Sequence, residues 1–599
     1  MIGNLPPALI LLGGALVLPF LANRTLRNAF LLLIALFSLA NVMALPREAE
    51  LWQIAFLDYT LILGRLDRLC LPFGYVFSLV TVIAVIYAFW RPNDELTAGL
   101  IYAGGALGVV FAGDWLTLFF FWEIMALAAA YIVWAGRTDS SYQAGMRYLL
   151  VHLVGGLILL AGIALHVQET GSLALGRLEL EGWSACLILA GFGINAAFPL
   201  LHAWLPDAYP EASYAGTVFL SAFTTKAAVY VLARFFAGTE LLIFIGGIMA
   251  IFPLFYAAIE NNLNRVLSYS IINQVGLMVM GVGIGTELAI NGTVAHTFSH
   301  IFYKALLFMS LGAVCLQTGK IKATDLGGLY RHMPWTAAFC LIGAATSAGF
   351  PLSAGFISKA MLTGAAGKEQ MELAWLTMLV ASAGVFLFSG IKVPYAAFFG
   401  RASGLTPREA PLPMLVAMGI AGLLCLGIGI YPAFLYGVLP YAVDYHPYTI
   451  SHVTGHLQVL FFAALALILL RKAGLYPVEI PGINLDADWF YRRGARAFLA
   501  FLDNPMAKMG RALNRTAFET LPRAFFQFSQ DPLTSIRIAA AFLFLAASRD
   551  DKRRQDLAAI IQEAREDYPH GLKKHWTVAP SATWIVLLLL TYLVIYYVT

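Results

Sequence analysis

Charge is what this sequence has least of. Asp, Glu, Lys and Arg together make up 12% of its 599 residues, against 60% hydrophobic ones, whereas an ordinary soluble domain carries about 25% charged residues. A single soluble core stops growing at roughly 250–300 residues, so this balance excludes a water-soluble globule and makes the bilayer the solvent for most of the chain. Net charge is only +4, and the basic residues are dispersed through connecting segments, which excludes the concentrated basic face that nucleic-acid binding needs. Cysteine is scarce too. Cys70, Cys186, Cys315, Cys340 and Cys425 stand singly in apolar runs, with no CxxC and no Cys/His cluster, excluding a disulfide framework and a thiolate metal centre. The stretch Met1 to Phe20 lacks a basic lead before its apolar run, and the first Arg is Arg24, so it reads as a retained helix rather than a cleaved leader.

What is present is apolar length. Crossing a hydrocarbon core of ~30 Å takes about 20 apolar residues, and such segments are predicted near 5–22, 27–46, 70–90, 96–113, 115–135, 147–168, 183–203, 214–236, 241–259, 266–286, 293–317, 334–363, 373–398, 411–435, 456–471 and 581–598, about sixteen in all. With the N-terminus outside, the loops that fall inside hold Arg24, Arg27, Arg91, Arg137, Arg265, Lys320, Lys322, Arg331, Arg401, Arg408, Arg471 and Lys472. The outside loop 169–182 is acidic, with Glu169, Glu179 and Glu181 against Arg177. The positive-inside rule then predicts an N-out protein with a cytoplasmic 472–580. In that long segment Phe490, Phe498, Phe501 and Leu502 alternate with Arg492, Arg493, Arg496 and Lys508 at helical spacing, which suits helices lying along a membrane surface or a neighbouring protein. Ile536 to Ala547 is too short to span, and Arg549 to Lys574 reads as a solvated helix.

One internal echo stands out. Gly191 to Leu200 (GFGINAAFPL) resembles Gly343 to Leu352 (GAATSAGFPL): each is a run of small residues ending in Phe-Pro-Leu inside a long apolar segment. Pro199 and Pro351 each remove a helix hydrogen bond and clash with the preceding turn. Both segments should be broken, freeing backbone groups that only a protein-lined or hydrated cavity can satisfy. Paired discontinuous helices are the trace of a repeated transporter architecture, although small-residue runs also serve plain helix packing.

Several ionisable residues fall inside these spans, where each costs roughly 2.5–3.5 kcal/mol on insertion scales. Glu123 sits mid-span with no basic residue within two turns, and Lys226 is similarly alone in its own span. A Glu–Lys pair that opens and closes could toggle the lysine between holding and releasing a proton, and a static structural ion pair is the alternative. His296, His300 and Lys304 fall at i, i+4 and i+8, one stripe of one helix. Imidazole accepts on one nitrogen while donating from the other, so the stripe suits a proton relay. No further ligands of the kind a metal would need lie nearby, and neither a metal nor a cofactor is implied. Lys359 follows the second break and can reach the cavity or snorkel to outer water. Lys392, before Pro394 near a helix end, reads as snorkelling.

The strings Phe121-Trp122-Glu123, Trp204-Leu205-Pro206-Asp207-Ala208, Leu220 to Lys226 (LSAFTTK) and His300 to Met309 (HIFYKALLFM) resemble the antiporter-like family shared by the D and A subunits of Mrp-type cation/proton antiporters and the large proton-pumping subunits of respiratory complex I, with Mrp D the nearest branch. The likeness covers roughly 70–435. It implies an all-α polytopic membrane protein with two inverted five-helix repeats at 96–236 and 241–398, each a half-channel; around them the apolar segments place N-terminal helices at 1–95, core helices at 411–471, a cytoplasmic or interfacial amphipathic segment at 472–580 and a last span at 581–599. It further implies that Glu123 is the carboxylate of the fifth helix, Lys226 the bridging lysine of the eighth, His300 and Lys304 part of a central polar axis, and Lys359 the terminal residue of the second half-channel. The late segment resembles a lateral helix broken by Pro505, Pro522 and Pro532. Two positions depart from the family's pattern, since Asn195 stands where a lysine is usual on the broken seventh helix and Asn264 precedes Arg265 where another is common. The first half-channel would then pair Glu123 with Lys226, admit a different ion, or not conduct.

The expected function is that of a proton-translocating transporter subunit, not an enzyme in itself, in a bacterial inner-membrane complex. Its partners would be other membrane subunits, protons, Na+ as the exchanged cation, and the lipid bilayer, with no nucleic acid. The rival within the family is a subunit that energises a bicarbonate-uptake protein or a complex I- or hydrogenase-like redox module. A rival outside it, a membrane-embedded lipid or quinone enzyme, has only Asp207 with Glu211 as an acidic pair.

Overall fold

The computed structural model describes residues 3, 5–475, 484–502, 506–548, 550–566, 568 and 585–593. In chain order the first compact unit contains α1 (Pro7–Val17), α2 (Arg24–Met43), β1 (Ala49–Phe56), β2 (Tyr59–Leu66), α3 (Cys70–Tyr87), α4 (Asn93–Phe111), α5 (Trp115–Trp134), α6 (Asp139–Thr170), α7 (Gly182–Asn195), α8 (Trp204–Ala208), α9 (Gly216–Ala222), α10 (Thr224–Phe235), α11 (Leu241–Ile259), α12 (Leu263–Ile284), α13 (Glu287–Thr318), α14 (Pro334–Ala348), α15 (Ala354–Lys368), α16 (Glu372–Val385), α17 (Leu412–Ile430), α18 (Ala433–Tyr436) and α19 (Ile450–Lys472). α16 continues as a π-helical stretch over Phe386–Lys392.

Among the described residues, 12 helices are long and apolar enough to cross a membrane, and they coincide with twelve of the sixteen predicted segments. The other four are shorter or divided. α1 continues only as a 3₁₀ turn to Phe20, 183–203 and 334–363 are interrupted, and 581–598 is helical over 585–593, its remainder lying outside the described residues. α12 and the divided helix α9–α10 are buried throughout, whereas α2, α11 and α19 bury a third or less of their apolar windows. The outer helices are apolar all round because lipid is their neighbour. The inner ones carry the polar residues that cannot face lipid, such as Ser268, Ser270, Asn273 and Gln274 on α12.

The all-α expectation gains one addition, the antiparallel hairpin β1–β2, with Ala49 opposite Leu66 and Phe56 opposite Tyr59. Its turn is Leu57-Asp58, with Leu57 at φ 53°, and it lacks the Asn-Gly or Asp-Gly pair that announces a two-residue hairpin. The hairpin is held at its far end. Ile62 N–H donates to Asp114 Oδ2 (2.6 Å) and Arg65 to the Leu175 carbonyl (3.0 Å). Asp67, just past β2, pairs with Arg234 of α10 at 2.7 Å.

The echoed sequence has an echoed backbone. Ala197 (φ 62°) and Gly349 (φ 79°) both take the left-handed conformation, as do Leu200 (φ 69°) and Leu352 (φ 68°) three residues later. Phe198 N–H reaches back to Gly193 O and Ala197 N–H to Ile194 O; Phe350 N–H reaches Ala345 O and Gly349 N–H Thr346 O. This is a Schellman cap. The following Phe-Pro-Leu closes a turn with proline at its second position and a left-handed third residue, as a type II turn demands. α7 and α14 therefore stop inside the membrane at the same motif.

The first unit extends past α19 to Asp488, beyond the expected boundary at 472, and the second runs from Trp489. Within the second, α20 (Asp488–Phe501), α21 (Ala507–Arg515), α22 (Leu521–Gln530), α23 (Pro532–Ala547) and α24 (Asp551–Glu566) follow in order. Pro522 does not break the helix as expected. Winding continues from Ala507 to Gln530 through a π-helical stretch, Thr516–Thr520, which already forgoes the i to i−4 bond that proline would remove. The break comes at Asp531, whose carboxylate caps α23 ahead of Pro532; Pro505 lies outside the described residues.

Burial pushes the Asp67 carboxyl up, but the Arg234 hydrogen bond and charge outweigh it and hold it below its usual range. A depressed carboxyl contributes stability above its unfolded value of about 4 and loses it as pH falls through the lower folded value. Asp67→Asn is expected to cost roughly 1.5–3 kcal/mol, read as a lower apparent Tm in detergent at neutral pH, with the gap to wild type closing as pH drops below about 4.

Candidate functional site

Three buried lysines share one kind of seat, the carbonyl end of an interrupted or finished helix. α9 stops at Ala222 and α10 resumes at Thr224; across this break Lys226 Nζ donates to the Ser221 carbonyl (2.6 Å) and Thr225 Oγ1 (3.0 Å). At the end of α14, Lys359 Nζ donates to the Ser347 carbonyl at 2.7 Å. Lys392 donates to the carbonyls of Ala257 (3.2 Å), Ala258 (2.8 Å) and Glu260 (2.7 Å) at the end of α11. The snorkelling expected of Lys392 is thus replaced by burial, with 2% of it exposed. The cause in each case is electrostatic: a helix end presents roughly half a negative charge, which in lipid is where a cation is least costly.

Lys304 is held differently. Its Nζ donates to Ser270 Oγ of α12 (2.5 Å) and Ser389 Oγ (3.4 Å), and Ser389 donates to Ser270 at 2.7 Å. Ser389 comes from the π-helical stretch after α16. One turn back along α13 lies His300, then His296, with ring centroids 6.1 Å apart. His296 Nδ1 shares a hydrogen bond of 2.9 Å with Ser358 Oγ, the neighbour of Lys359. The charges of Lys226, Lys304 and Lys359 all bear on His300, and those of Lys304 and Lys359 on His296. The structure therefore brings Lys226, His300, Lys304, His296 and Lys359 into one electrostatic neighbourhood.

The first half is arranged otherwise. Glu123 and Lys226 form no ion pair, because Lys226 is engaged by its helix break while Glu123 turns to α6. There its carboxylate lies over Gly156, where an added Cβ would overlap Oε1, and that oxygen has no protein partner. Asn195, the last residue of α7, is 1% exposed, and neither of its amide atoms has a protein partner among the described residues. Asn264 lies in the first turn of α12, its Oδ1 also unpartnered.

Sequence reasoning missed His152, one turn before Gly156. Its Nδ1 meets the Tyr148 carbonyl at 2.9 Å, and since a carbonyl only accepts, Nδ1 carries the proton and Nε2 is left as an acceptor without a protein partner. The ring stacks on Tyr148 (3.9 Å) and meets Trp204 edge-on (4.6 Å), and Trp204 donates to the Ile194 carbonyl beside Asn195. The hydroxyls of Tyr148 and Tyr102 both bond Thr224 Oγ1, at 3.2 and 2.5 Å, two residues from Lys226. A lone histidine in an apolar helix gave no signal; only its spacing of four from both Tyr148 and Gly156 marked its face.

A third cluster was also missed. Asp486, from the segment after α19, accepts from Tyr269 (2.8 Å) and sits 3.0 Å from His202 Nε2 in the broken stretch after α7, while Asn484 donates to Glu260 (3.1 Å). Burial raises the Asp486 carboxyl, but the His202 and Tyr269 contacts hold it below its usual range on balance. Asp207 is tied by Arg147 through two bonds of 2.7 and 3.0 Å. A cavity of about 690 Å³ with largely apolar walls, including Phe244, Ile248 and Met280, opens between α11 and α16. A smaller one of about 310 Å³ adjoins Lys359. No group of three or more His, Cys, Asp or Glu that could hold a metal occurs among the described residues.

Residues 112–387 match the family described as NADH:quinone oxidoreductase/Mrp antiporter, transmembrane. The chain is 30% identical over 409 residues to the A/B component of a probable K+/H+ antiporter of Rhizobium meliloti, covering 63% of this chain but 40% of that one. It is 29% identical over 396 residues to the D component of a Na+/H+ antiporter of Alkalihalophilus pseudofirmus, covering 60% of this chain and 79% of that one. It thus spans less than half of the first relative. The Mrp complex structure from Dietzia sp. shares the fold over 93% of this chain and 68% of its own, with TM-score 0.73 at 21% identity.

Because the space over Gly156 holds the Glu123 carboxylate, Gly156→Ala is expected to displace that side chain and slow transport as much as Glu123→Gln does. The double variant should show no further loss, since two changes acting on one group are not additive. A double-mutant cycle on transport rate checks this, and full additivity would separate the two residues.

Proposed function

With residues 112–387 belonging to the NADH:quinone oxidoreductase/Mrp antiporter transmembrane family, we propose that this chain is the proton-translocating subunit of a multi-subunit membrane complex, a monovalent cation (Na+)/H+ antiporter of the Mrp type. The complex sits in a bacterial cell membrane with the N-terminus of this chain outside, and 96–236 and 241–398 are its two half-channels. The observation that carries this reading is the buried row of Lys226, His300, Lys304, His296 and Lys359, whose members act on one another electrostatically. They lie beside polar atoms that no group among the described residues satisfies, namely His296 Nε2, both nitrogens of His300, and the hydroxyls of Ser299 and Ser347. A buried polar atom left unpaired costs about 1–3 kcal/mol, so such a concentration along one line marks a hydrated seam.

The row works by repulsion between like charges. A proton arriving at Lys304 raises the cost of protons on Lys226 and Lys359, and one leaves toward whichever side its own seat faces. The imidazoles of His296 and His300 pass protons between them without a net rotation of charge through lipid, since each can accept on one nitrogen and donate from the other. Glu123 and His152 form the approach from the first half, beside Tyr148, whose ring stacks on His152 and whose hydroxyl bonds Thr224, two residues before Lys226. Asn195 holds no proton, so the store usual on that helix is absent and His152, one contact away through Trp204, takes the place.

The family's joint name supports a second reading, in which the same relay energises a redox partner. A peripheral iron–sulfur subunit co-purifying with the chain would select it. A membrane-embedded enzyme finds no support, because Asp207, half of the one acidic pair, is fixed by Arg147. Lys304→Ala is expected to slow proton transport by about 100-fold or more in proteoliposomes while the complex assembles normally by size-exclusion chromatography. Wild-type coupling in that variant removes Lys304 from the relay.

A further inference from the structure

The second half-channel ends, on the reading above, at Lys359, yet the structure continues past it with two histidines that neither the family match, which stops at 387, nor the sequence motifs touch. His456 and His452 lie one turn apart at the start of α19 and line, with Lys359, Thr363, Ser382 and Ser451, the cavity of about 310 Å³. His456 is seated beside Lys359 by the same helix end. Lys359 Nζ donates to the Ser347 carbonyl (2.7 Å) and His456 Nε2 to the next carbonyl, that of Ala348 (3.3 Å). Nε2 therefore carries the proton and Nδ1 is the acceptor. Gly349 (φ +79°) keeps the space between them clear: a Cβ there would stand 2.9 Å from His456 Nε2 and 3.3 Å from Lys359 Cδ. Lys359 is 3% exposed, His456 is half-buried and His452 is exposed, so exposure rises step by step along the three. The walls fix the rings. Phe356 meets His456 edge-on at 5.6 Å, and Tyr445 stacks on His452 at 5.8 Å while its hydroxyl donates to the Ala360 carbonyl.

We propose that His456 and then His452 are the outlet of the second half-channel, carrying the proton released by Lys359 through this cavity to the outer face where α19 begins. The transfer balances simply. The ammonium of Lys359 gives its proton through the cavity to His456 Nδ1, leaving a neutral amine, and the imidazolium gives that Nδ1 proton on toward His452 and water, while the Nε2 proton stays on the Ala348 carbonyl throughout. The inference rests on the transport reading, and the test is arranged to separate the two.

Proton release from the assembled complex in proteoliposomes is measured for His456→Ala, His456→Gln, His452→Ala and Lys304→Ala. His456→Ala should release protons about tenfold more slowly or worse, and imidazole added on the outer side should restore the rate by entering the enlarged cavity. Pyrrole, of the same size but without a basic nitrogen, should not. His456→Gln, which keeps a donor for Ala348, should be as slow as His456→Ala, and His452→Ala should be slower than wild type by a smaller factor. Wild-type rates in both His456 variants, or a loss that pyrrole repairs as well as imidazole, overturn the outlet. If Lys304→Ala is also at the wild-type rate the transport reading fails, whereas an inactive Lys304→Ala beside an unaffected His456→Ala defeats the outlet alone.

Discussion

The structure depends on a carbonyl end of a helix being available in the middle of the membrane. An uncompensated charge there costs roughly 2.5–3.5 kcal/mol, and nothing in a continuous helix can offset it, because every interior carbonyl is already used. The broken helices supply the missing acceptors. The Phe-Pro-Leu turn ends α14 at Ala348, and Lys359, returning on the next helix, lands on the exposed Ser347 carbonyl. The divided α9–α10 does the same for Lys226, and the end of α11 for Lys392. Backbone conformation comes first, and the position of each ammonium follows from it.

A carbonyl end is also a weak seat, and weakness suits a relay. A carboxylate paired with a lysine in low dielectric would hold its proton against any neighbour, since breaking a buried pair costs about 3–5 kcal/mol. A fractional charge and one or two neutral oxygens hold it less. That distinction accounts for the arrangement in the first half, where Glu123 faces Gly156 and Lys226 faces Ser221. Lys304 differs from the other three in being held by side-chain hydroxyls and not by a helix end.

Much of this was legible in the chain. The spans follow from length and apolar content, the two breaks from a repeated Phe-Pro-Leu, and the face of α13 from the spacing of His296, His300 and Lys304. What was not legible is what depends on contacts far apart in sequence. The hairpin β1–β2 is held by Asp114 and Leu175, not by a turn signal. Lys392 looked like a side chain reaching for water because its acceptors lie more than 130 residues earlier, at the end of α11. His152, His456 and Asp486 each drew no notice as single polar residues, since their significance lies in what stands opposite them: Trp204, the Ala348 carbonyl and His202.

The two breaks are alike in backbone and unlike in chemistry. At the second, the left-handed residue is Gly349, leaving room for Lys359 and His456 on adjacent carbonyls. At the first it is Ala197, whose methyl group accepts the strain of that conformation, about 1–2 kcal/mol for a residue with a side chain, and it is fully buried. There the helix ends in Asn195, and among the described residues no lysine is seated on it as Lys359 is on α14. The carbonyl end of α7 receives the indole N–H of Trp204, against whose ring His152 packs, whereas the end of α14 receives Lys359 and His456 on adjacent carbonyls.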